Sequence, residues 1–384
     1  MGMRVGVIGG GQLAWMMAGA AAALGIKLIV QTPQSSDPAV RIADDVILAA
    51  IDDAEATAKL ADRCDVITFE NEFVDLEALR PLEQRGLRFY PQLAALAPLL
   101  DKYHQRCFLR DIGLPVPSFA AIEPNLGSAV SAADRAALSQ FGFPVVLKTR
   151  RHGYDGQGTY ILRSPADLEA LLPQLQQPLL LEEFVPFDRE LAVMVARSSS
   201  GEIITYPVVE TQQPDQVCRR VLVTSDLAIE VQRSVEAIAR QFVDSLQAVG
   251  IFGIELFLTA EGRVLVNEVA PRTHNSGHFT LDACLTSQFE QQLRAICGLR
   301  LGGTQLQAKG AVMVNLLGYE SSTSDYLAQR QQLAKLPQTF VHWYGKVESR
   351  PGRKLGHVTA LLDTADRSRA IELAAAIESI WYPG

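Results

Sequence analysis

The 384-residue chain is poor in the features that mark several functional classes. It has five cysteines, Cys64, Cys107, Cys218, Cys284 and Cys297, scattered and odd in number, with no CxxC pair. That argues against a disulfide framework or a zinc ribbon and fits a reducing cytosol. It has no excess of positive charge. The formal net charge is −8, so a nucleic-acid surface is not expected. It has no long hydrophobic run: the longest, 14–25, is too short to span a membrane. The start of the chain lacks the basic segment and cleavage site of a signal peptide. Gly6 stands where N-myristoylation needs Ser or Thr. The reading is therefore a cytoplasmic protein with no nucleic-acid or membrane partner. Internal repeats and low-complexity tracts are missing too.

What is present is a large apolar fraction, 48%, and enough length for two or three domains. Residues 4–8 form an apolar run ending in Gly9-Gly10-Gly11. A helical stretch over 12–24 and further strands at 27–30 and 65–69 follow. Strands alternating with helices imply a parallel sheet, so residues 1–100 are read as an N-terminal Rossmann-like domain. A helix over 101–112 stops at Gly113-Leu114-Pro115. Strands are expected at 144–149, 159–162, 179–183, 190–196 and 203–209. A helix over 230–249 precedes a hairpin over 251–269. The tail mixes short strands with a basic loop at 350–354.

The hairpin carries the sharpest signal. If Glu261-Gly262 is a two-residue turn, Ala260 faces Arg263, and outward counting sets Glu255 opposite Glu268. Facing carboxylates repel, and burial among Ile, Leu, Phe and Val makes them costly. A bound Mg²⁺ would resolve both problems, with Asn267 offering a neutral oxygen. The competing reading is a solvent-facing pair, or a one-residue slip that separates the two.

Lys148 ends an apolar strand, and a glycine-rich loop follows: Gly153, Tyr154, Asp155, Gly156, Gln157, Gly158, Thr159. Its amides can face phosphate oxygens, with the Lys148 ammonium nearby. No GK[ST] follows, so it is not a Walker A loop. An ordinary hairpin loop is the alternative. Glu182 and Glu183 end another apolar strand. The backbone after them could meet an adenine edge, and Glu190 the ribose hydroxyls.

The order lysine, glycine-rich loop, acidic strand end and paired carboxylates resembles the ATP-grasp superfamily. Segments 5–17 (VGVIGGGQLAWMM), 65–70 (DVITFE), 148–159 (KTRRHGYDGQGT), 267–280 (NEVAPRTHNSGHFT) and 350–358 (RPGRKLGHV) are similar to the N5-carboxyaminoimidazole ribonucleotide synthetase family. They span almost the whole chain. The resemblance implies an ATP-grasp domain over 101–298, with a mobile lid subdomain at about 115–187, and a small β-rich C-terminal domain over 299–384. It implies a ligase that makes carboxyphosphate from bicarbonate and ATP and carboxylates 5-aminoimidazole ribonucleotide, in de novo purine biosynthesis. ATP would meet Lys102, Lys148, Gly153 through Thr159, Glu182, Glu183, Phe184, Val185, Glu190, Gln213, Asn267 and Glu268. Glu255 and Glu268 would hold Mg²⁺. A homodimer is implied as well. Lys102 stands where many members carry Arg, Gln157 where Arg or Lys is common, and Gln213 where a His is often found.

At the substrate end, the Gly9–Gly11 turn matches G-x-G-x-x-A, but the second strand ends in Gln31 without the acid of a dinucleotide fold. An anion at that helix start is still expected. Arg350, Arg353 and Lys354 suit a ribose phosphate; a solvated basic turn is the alternative. Candidate substrate contacts are Gly11, Gln12, Asn275, Ser276, Lys346, Arg353 and Lys354. Candidate catalytic groups are Asp155, His274, Arg272 and Glu70. Another ATP-grasp ligase, such as a formate-dependent ribotide transformylase or a biotin carboxylase, is the runner-up. An NAD-dependent oxidoreductase and a degenerate, non-catalytic binder are the readings from other classes.

Overall fold

Short apolar strands with hydrophobic residues on both faces build a buried parallel sheet. β1 (Arg4–Ile8), β2 (Lys27–Thr32), β3 (Asp45–Leu48), β4 (Val66–Phe69) and β5 (Phe89–Tyr90) pair in the order β3-β2-β1-β4-β5. Every pairing is parallel. The structure is a computed structural model that describes residues 2–123, 141–151, 153, 157–171 and 177–382. Asp53 and Asp75 cap the helices Ala54–Ala61 and Leu76–Gln84, each accepting two amide hydrogen bonds. Helix Gln12–Ala23 starts from Gly11, which has no capping side chain of its own.

The second sheet is antiparallel: β6 (Phe119–Ile122), β7 (Val145–Thr149), β8 (Thr159–Leu162) and β9 (Leu179–Glu183), in the order β6-β9-β7-β8. Val145, Leu147, Leu179 and Leu181 form its core on one face. Alternation sends Lys148 and Glu182 to the other face. Lys148 pairs with Leu180 and Glu182 with Val146, so the two charges are diagonal neighbours.

The third sheet holds the remaining described strands: β10 (Phe187–Arg197), β11 (Ile203–Thr205), β12 (Val209–Gln212), β13 (Arg220–Val223), β14 (Gly250–Thr259), β15 (Val264–Ala270), β16 (Gly310–Leu317), β17 (Thr339–Trp343) and β18 (Lys354–Leu362). Its order is β15-β14-β10-β12-β13-β16-β18-β17, with β11 paired to β10. The C-terminal strands thus continue the sheet that bears the carboxylate hairpin. The strand expected over 203–209 is two strands, β11 and β12, separated by Tyr206–Val208; Tyr206 is buried there and its hydroxyl donates to the Thr286 carbonyl.

Helix Ile229–Leu246 is shorter than the expected 230–249, because Gln247 turns left-handed (φ 52°) and Gly250 opens β14. Its buried stripe, Val231, Val235, Ile238, Ala239, Phe242 and Val243, follows the helical period and packs under β10 and β14. Phe242 meets Phe252 of β14 edge to face, with centroids 5.6 Å apart. That contact anchors the hairpin from behind.

Candidate active site

The hairpin reaches the anticipated pairing by a different route. Its loop has three residues, not two. Thr259 N–H donates to the Arg263 carbonyl, and Gly262 takes φ +81°. That turn leaves the register one residue short: Leu258 faces Val264 and Leu256 faces Val266. A β-bulge then inserts Asn267, and Glu268 arrives opposite Glu255. The bulge also explains how adjacent Asn267 and Glu268 both line one cavity instead of alternating across the sheet.

The cavity is about 1240 Å³. The hairpin and β10 form one wall, the second sheet another, and the loops after β1 and β4 the far end. Its described lining includes Lys102, Lys148, Gly153, Gln157, Thr159, Glu182, Glu183, Phe184, Val185, Glu190, Gln213, Glu255, Asn267 and Glu268. At the far end stand Gln12, Glu70, Arg272, His274, Asn275 and Lys354. Gly11, Gly158, Ser276, Lys346 and Arg353 are outside its described lining. Tyr154, Asp155 and Gly156 lie outside the described residues.

Two buried charge systems meet here. In the first, Glu182 is 2% exposed and accepts from Arg106 Nε and from Lys148 Nζ, the latter at 2.8 Å. Burial alone would raise its pKa, but the two cations win and hold it at about 2. Arg106 also donates to the Val266 carbonyl at 2.9 Å, and Lys148 to Asn267 Oδ1 at 2.9 Å. Burial pulls the Lys148 pKa down, and Glu182 pulls it back. Two of the three Lys148 donors are thereby aimed.

The second system is short of positive charge. Glu255 has its pKa pushed up to about 7, first by burial and then by the facing Glu268. Glu190 is pushed up to about 7 by burial and by Glu255. Glu268 is held low, because the charge and hydrogen bond of Lys102 outweigh its burial. Among the described residues, a hydrogen bond from Lys102 to Glu268 ties a cation to these three carboxylates. His274 Nε2 stands 3.7 Å from Glu255, and its Nδ1 is 2.8 Å from the Ser276 hydroxyl. Gln213 reaches Glu190 at 3.4 Å.

At the far end, the anion expected at the helix start is a protein carboxylate. Glu70 accepts from the amides of Gly11 (2.5 Å), Leu13 (2.9 Å) and Ala14 (3.5 Å). The glycines permit that approach: a Cβ on Gly11 would lie 2.5 Å from Glu70 Oε1, and one on Gly9 2.6 Å from Glu70 Cβ. Gln31 is buried and used structurally, donating to the carbonyls of Ala50 and Asp53. The dinucleotide reading thus loses both its ribose contact and its open helix start. Lys346 donates to Gln12 Oε1 at 2.6 Å and to the Lys354 carbonyl at 2.9 Å. Arg353 donates to the Glu348 carbonyl at 2.6 Å. Arg272 pairs with Glu72 at 2.9 Å, and Asn275 with Asn315 at 3.0 Å.

Several site residues escaped the sequence reading. Arg106 sits one helical turn from Lys102 on helix Lys102–Asp111, a spacing that could have flagged it. Asp101 caps that helix and pairs with Arg150 at 2.9 Å. Gln105 bonds both the amide and the carbonyl of Val269, fastening the helix to the hairpin. Glu72 and Gln288 carried no local signal.

This arrangement, with Lys102, Lys148, Gly153, Gln157 and Thr159 lining one cavity with carboxylates on a bulged hairpin, defines an ATP-grasp ligase. An ATP-grasp domain model matches residues 107–289, a ribonucleotide synthetase preATP-grasp domain 2–98, and a phosphoribosylaminoimidazole carboxylase C-terminal domain 311–371. The chain is 58% identical to an N5-carboxyaminoimidazole ribonucleotide synthase of Synechococcus elongatus, covering 98% of this chain and 95% of that one. It is 37% identical to the Bacillus subtilis enzyme of the same name, covering 95% and 93%. A crystal structure of an N5-carboxyaminoimidazole ribonucleotide synthetase with ADP matches with TM-score 0.90 at 37% identity, over 99% and 97% of the two chains. An Aspergillus clavatus synthase with ADP and 5-aminoimidazole ribonucleotide matches with TM-score 0.88 at 29% identity, over 98% of each. The chain belongs to the N5-carboxyaminoimidazole ribonucleotide synthase family.

Proposed function

We infer that this chain converts 5-aminoimidazole ribonucleotide, bicarbonate and ATP to N5-carboxyaminoimidazole ribonucleotide, ADP and phosphate. The observation that carries this reading is the cation-poor carboxylate face, Glu190, Glu255 and Glu268, set across one cavity from Lys148. Glu190 and Glu255, raised to about 7 by burial and then by a neighbouring carboxylate, fit a divalent cation that nucleotide phosphates also ligate. Glu255 and Glu268 would hold Mg²⁺, which when bound neutralises charge on the transferring phosphoryl group.

The protein's own groups do the rest. Lys102 and Lys148 place positive charge beside the phosphates, and Glu182 with Asn267 fixes where the Lys148 ammonium points. A bicarbonate oxygen attacks the γ-phosphorus, ADP leaves, and carboxyphosphate forms. The ribotide amine then attacks the carboxyl carbon, and phosphate departs. Both steps ask for positioning and exclusion of water. The glycine-rich segment, with Asp155, is the proposed cover. His274 and Arg272 are the proposed anion-orienting groups, next to the metal strand. Glu70, held by three amides, shapes the substrate end beside Gln12. Lys346, Arg353 and Lys354, with Gly11, Asn275 and Ser276, are proposed for the ribotide.

The domain limits near residues 100 and 298, a homodimer and a cytoplasmic location are part of the same proposal. The five cysteines, all free, support the last. Light scattering of the purified chain tests the dimer. The reaction is tested by following ADP release: it should require both bicarbonate and 5-aminoimidazole ribonucleotide. Equal release with formate and a different ribotide would refute it in favour of a transformylase.

A further inference from the structure

Away from the cavity, three nitrogen- and oxygen-bearing side chains converge where the C-terminal strands meet the segment after the hairpin. His342 of β17 and His357 of β18 are directly opposite cross-strand partners. Their rings lie face to face, with centroids 4.5 Å apart and planes 13° apart. Asp282, on the short helix Thr280–Ala283, reaches His342 Nε2 at 2.8 Å. One ligand atom from each of Asp282, His342 and His357 lies within 4.8 Å of the others. None of the three belongs to the described lining of the cavity.

His357 is fully buried, and its Nε2 has no hydrogen-bond partner among the described residues. An unsatisfied ring nitrogen in a core is unfavourable unless something occupies it. The other ring nitrogen of His357 is engaged within the protein. This Nδ1 is 2.8 Å from the Tyr344 hydroxyl. If Nδ1–H donates to that oxygen, the lone pair sits on Nε2. Metal-bound histidines are held this way, by an outer partner that fixes the tautomer. His342 is 23% exposed at the side chain, which leaves an entry path from solvent.

We propose that Asp282, His342 and His357 form a binding site for a divalent first-row transition ion of the Zn²⁺ type, separate from the hairpin carboxylates. Two imidazoles and one carboxylate suit Zn²⁺ and its neighbours; Mg²⁺ prefers oxygen ligands. Imidazole lone pairs lie in the ring plane, so the stacked rings do not converge on an ion as they stand; His342, the part-exposed ring, turns out of the stack, and the ion replaces both that stack and the His342–Asp282 hydrogen bond and leaves a position for water. It joins helix Thr280–Ala283 to the C-terminal strands, so its effect is on stability at that junction. The site does not depend on the proposed reaction.

The test uses the whole chain, stripped with a chelator and then titrated with Co²⁺ as a spectroscopic probe, in excess Mg²⁺. The expected result is one equivalent bound with visible d–d absorption that Mg²⁺ does not displace. His342→Ala and Asp282→Asn should each weaken binding by at least about tenfold, and Tyr344→Phe by about 10–100-fold. His104→Ala, an exposed histidine elsewhere, should bind as the parent does. Zn²⁺ should raise the Tm of the parent and not of His342→Ala. Absorption lost in His274→Ala but kept in His342→Ala would place the ion on the hairpin and overturn the proposal. Failure to bind one equivalent of Co²⁺ would overturn it as well.

Discussion

Glu182 and Glu255 are both carboxylates on strands that face one cavity, yet their surroundings drive them in opposite directions. Glu182 touches two cations and is held at about 2. Glu255 faces another carboxylate and is pushed to about 7. Burial is unfavourable for both. The difference is whether the protein supplies its own counter-charge. Where it does, the carboxylate is scaffold that aims Lys148. Where it does not, the carboxylate stays raised, which is the state the proposed Mg²⁺ would relieve.

The largest effect should come from breaking the self-sufficient side. Glu182→Gln leaves Arg106 buried with no charged partner, and a loss of about 3–5 kcal/mol in urea unfolding is expected. The Glu182→Met/Arg106→Met double variant should recover the part due to Arg106, while Lys148, still without its carboxylate, keeps the rest from returning. If the single and double variants are equally unstable, the network is not what holds helix Lys102–Asp111 to β9. The pH dependence has a defined sign. The folded pKa lies below the ordinary 4.5, so this stabilisation is complete above about 4.5 and is lost as pH falls toward 2.

Next comes the side proposed to take a cation. Glu268→Gln should leave unfolding free energy nearly unchanged while kcat drops by about 10²–10³-fold at saturating Mg²⁺. Near-normal turnover would remove the hairpin from the chemistry. A third measurement uses metal-free protein. Glu255 has a raised folded pKa, so its protonated form is favoured in the fold. Stability should decline as pH rises from about 4.5 to 7, with Glu255 contributing at most about 3 kcal/mol and Glu190, also raised to about 7, adding to it. Mg²⁺, or Glu255→Gln, should flatten that decline. A slope untouched by both would mean that another group titrates.

The same contrast marks what could be read from the chain alone. Facing carboxylates among apolar residues left a local pattern, and Glu255 and Glu268 do face each other. The reason differed: the two-residue turn is a three-residue loop, and a bulge at Asn267 restores the register. Bulges depend on strand pairing and leave no composition signal. Glu182 with Arg106 joins residues 76 positions apart in the chain, and Arg272 with Glu72 joins residues 200 apart. No spacing rule reaches so far. The Gly9–Gly11 turn was legible as an anion site, but its anion comes from Glu70, a pairing that only the β1–β4 adjacency creates. The alternation of strands and helices gave the parallel sheet directly, because each βαβ unit is local.

The smallest expected effect extends the comparison to a cation. Arg353 is partly exposed, and one of its donors goes to the Glu348 carbonyl, a neutral partner. Unlike Arg106, it has no carboxylate among its hydrogen-bond partners in the described residues. If its charge is meant for the ribotide phosphate, Arg353→Ala should raise the KM for the ribotide by roughly tenfold, about one charge-assisted hydrogen bond. The KM for ATP and the unfolding free energy should barely move, since a half-exposed cation adds little to stability. Raised ionic strength should shrink the difference between parent and variant. Equal losses for ATP and ribotide would mean that the basic turn shapes the cavity as a whole. A change in stability with no change in either KM would make Arg353 a structural cap on the Glu348 turn, closer in kind to Arg106 than to a ligand-facing charge.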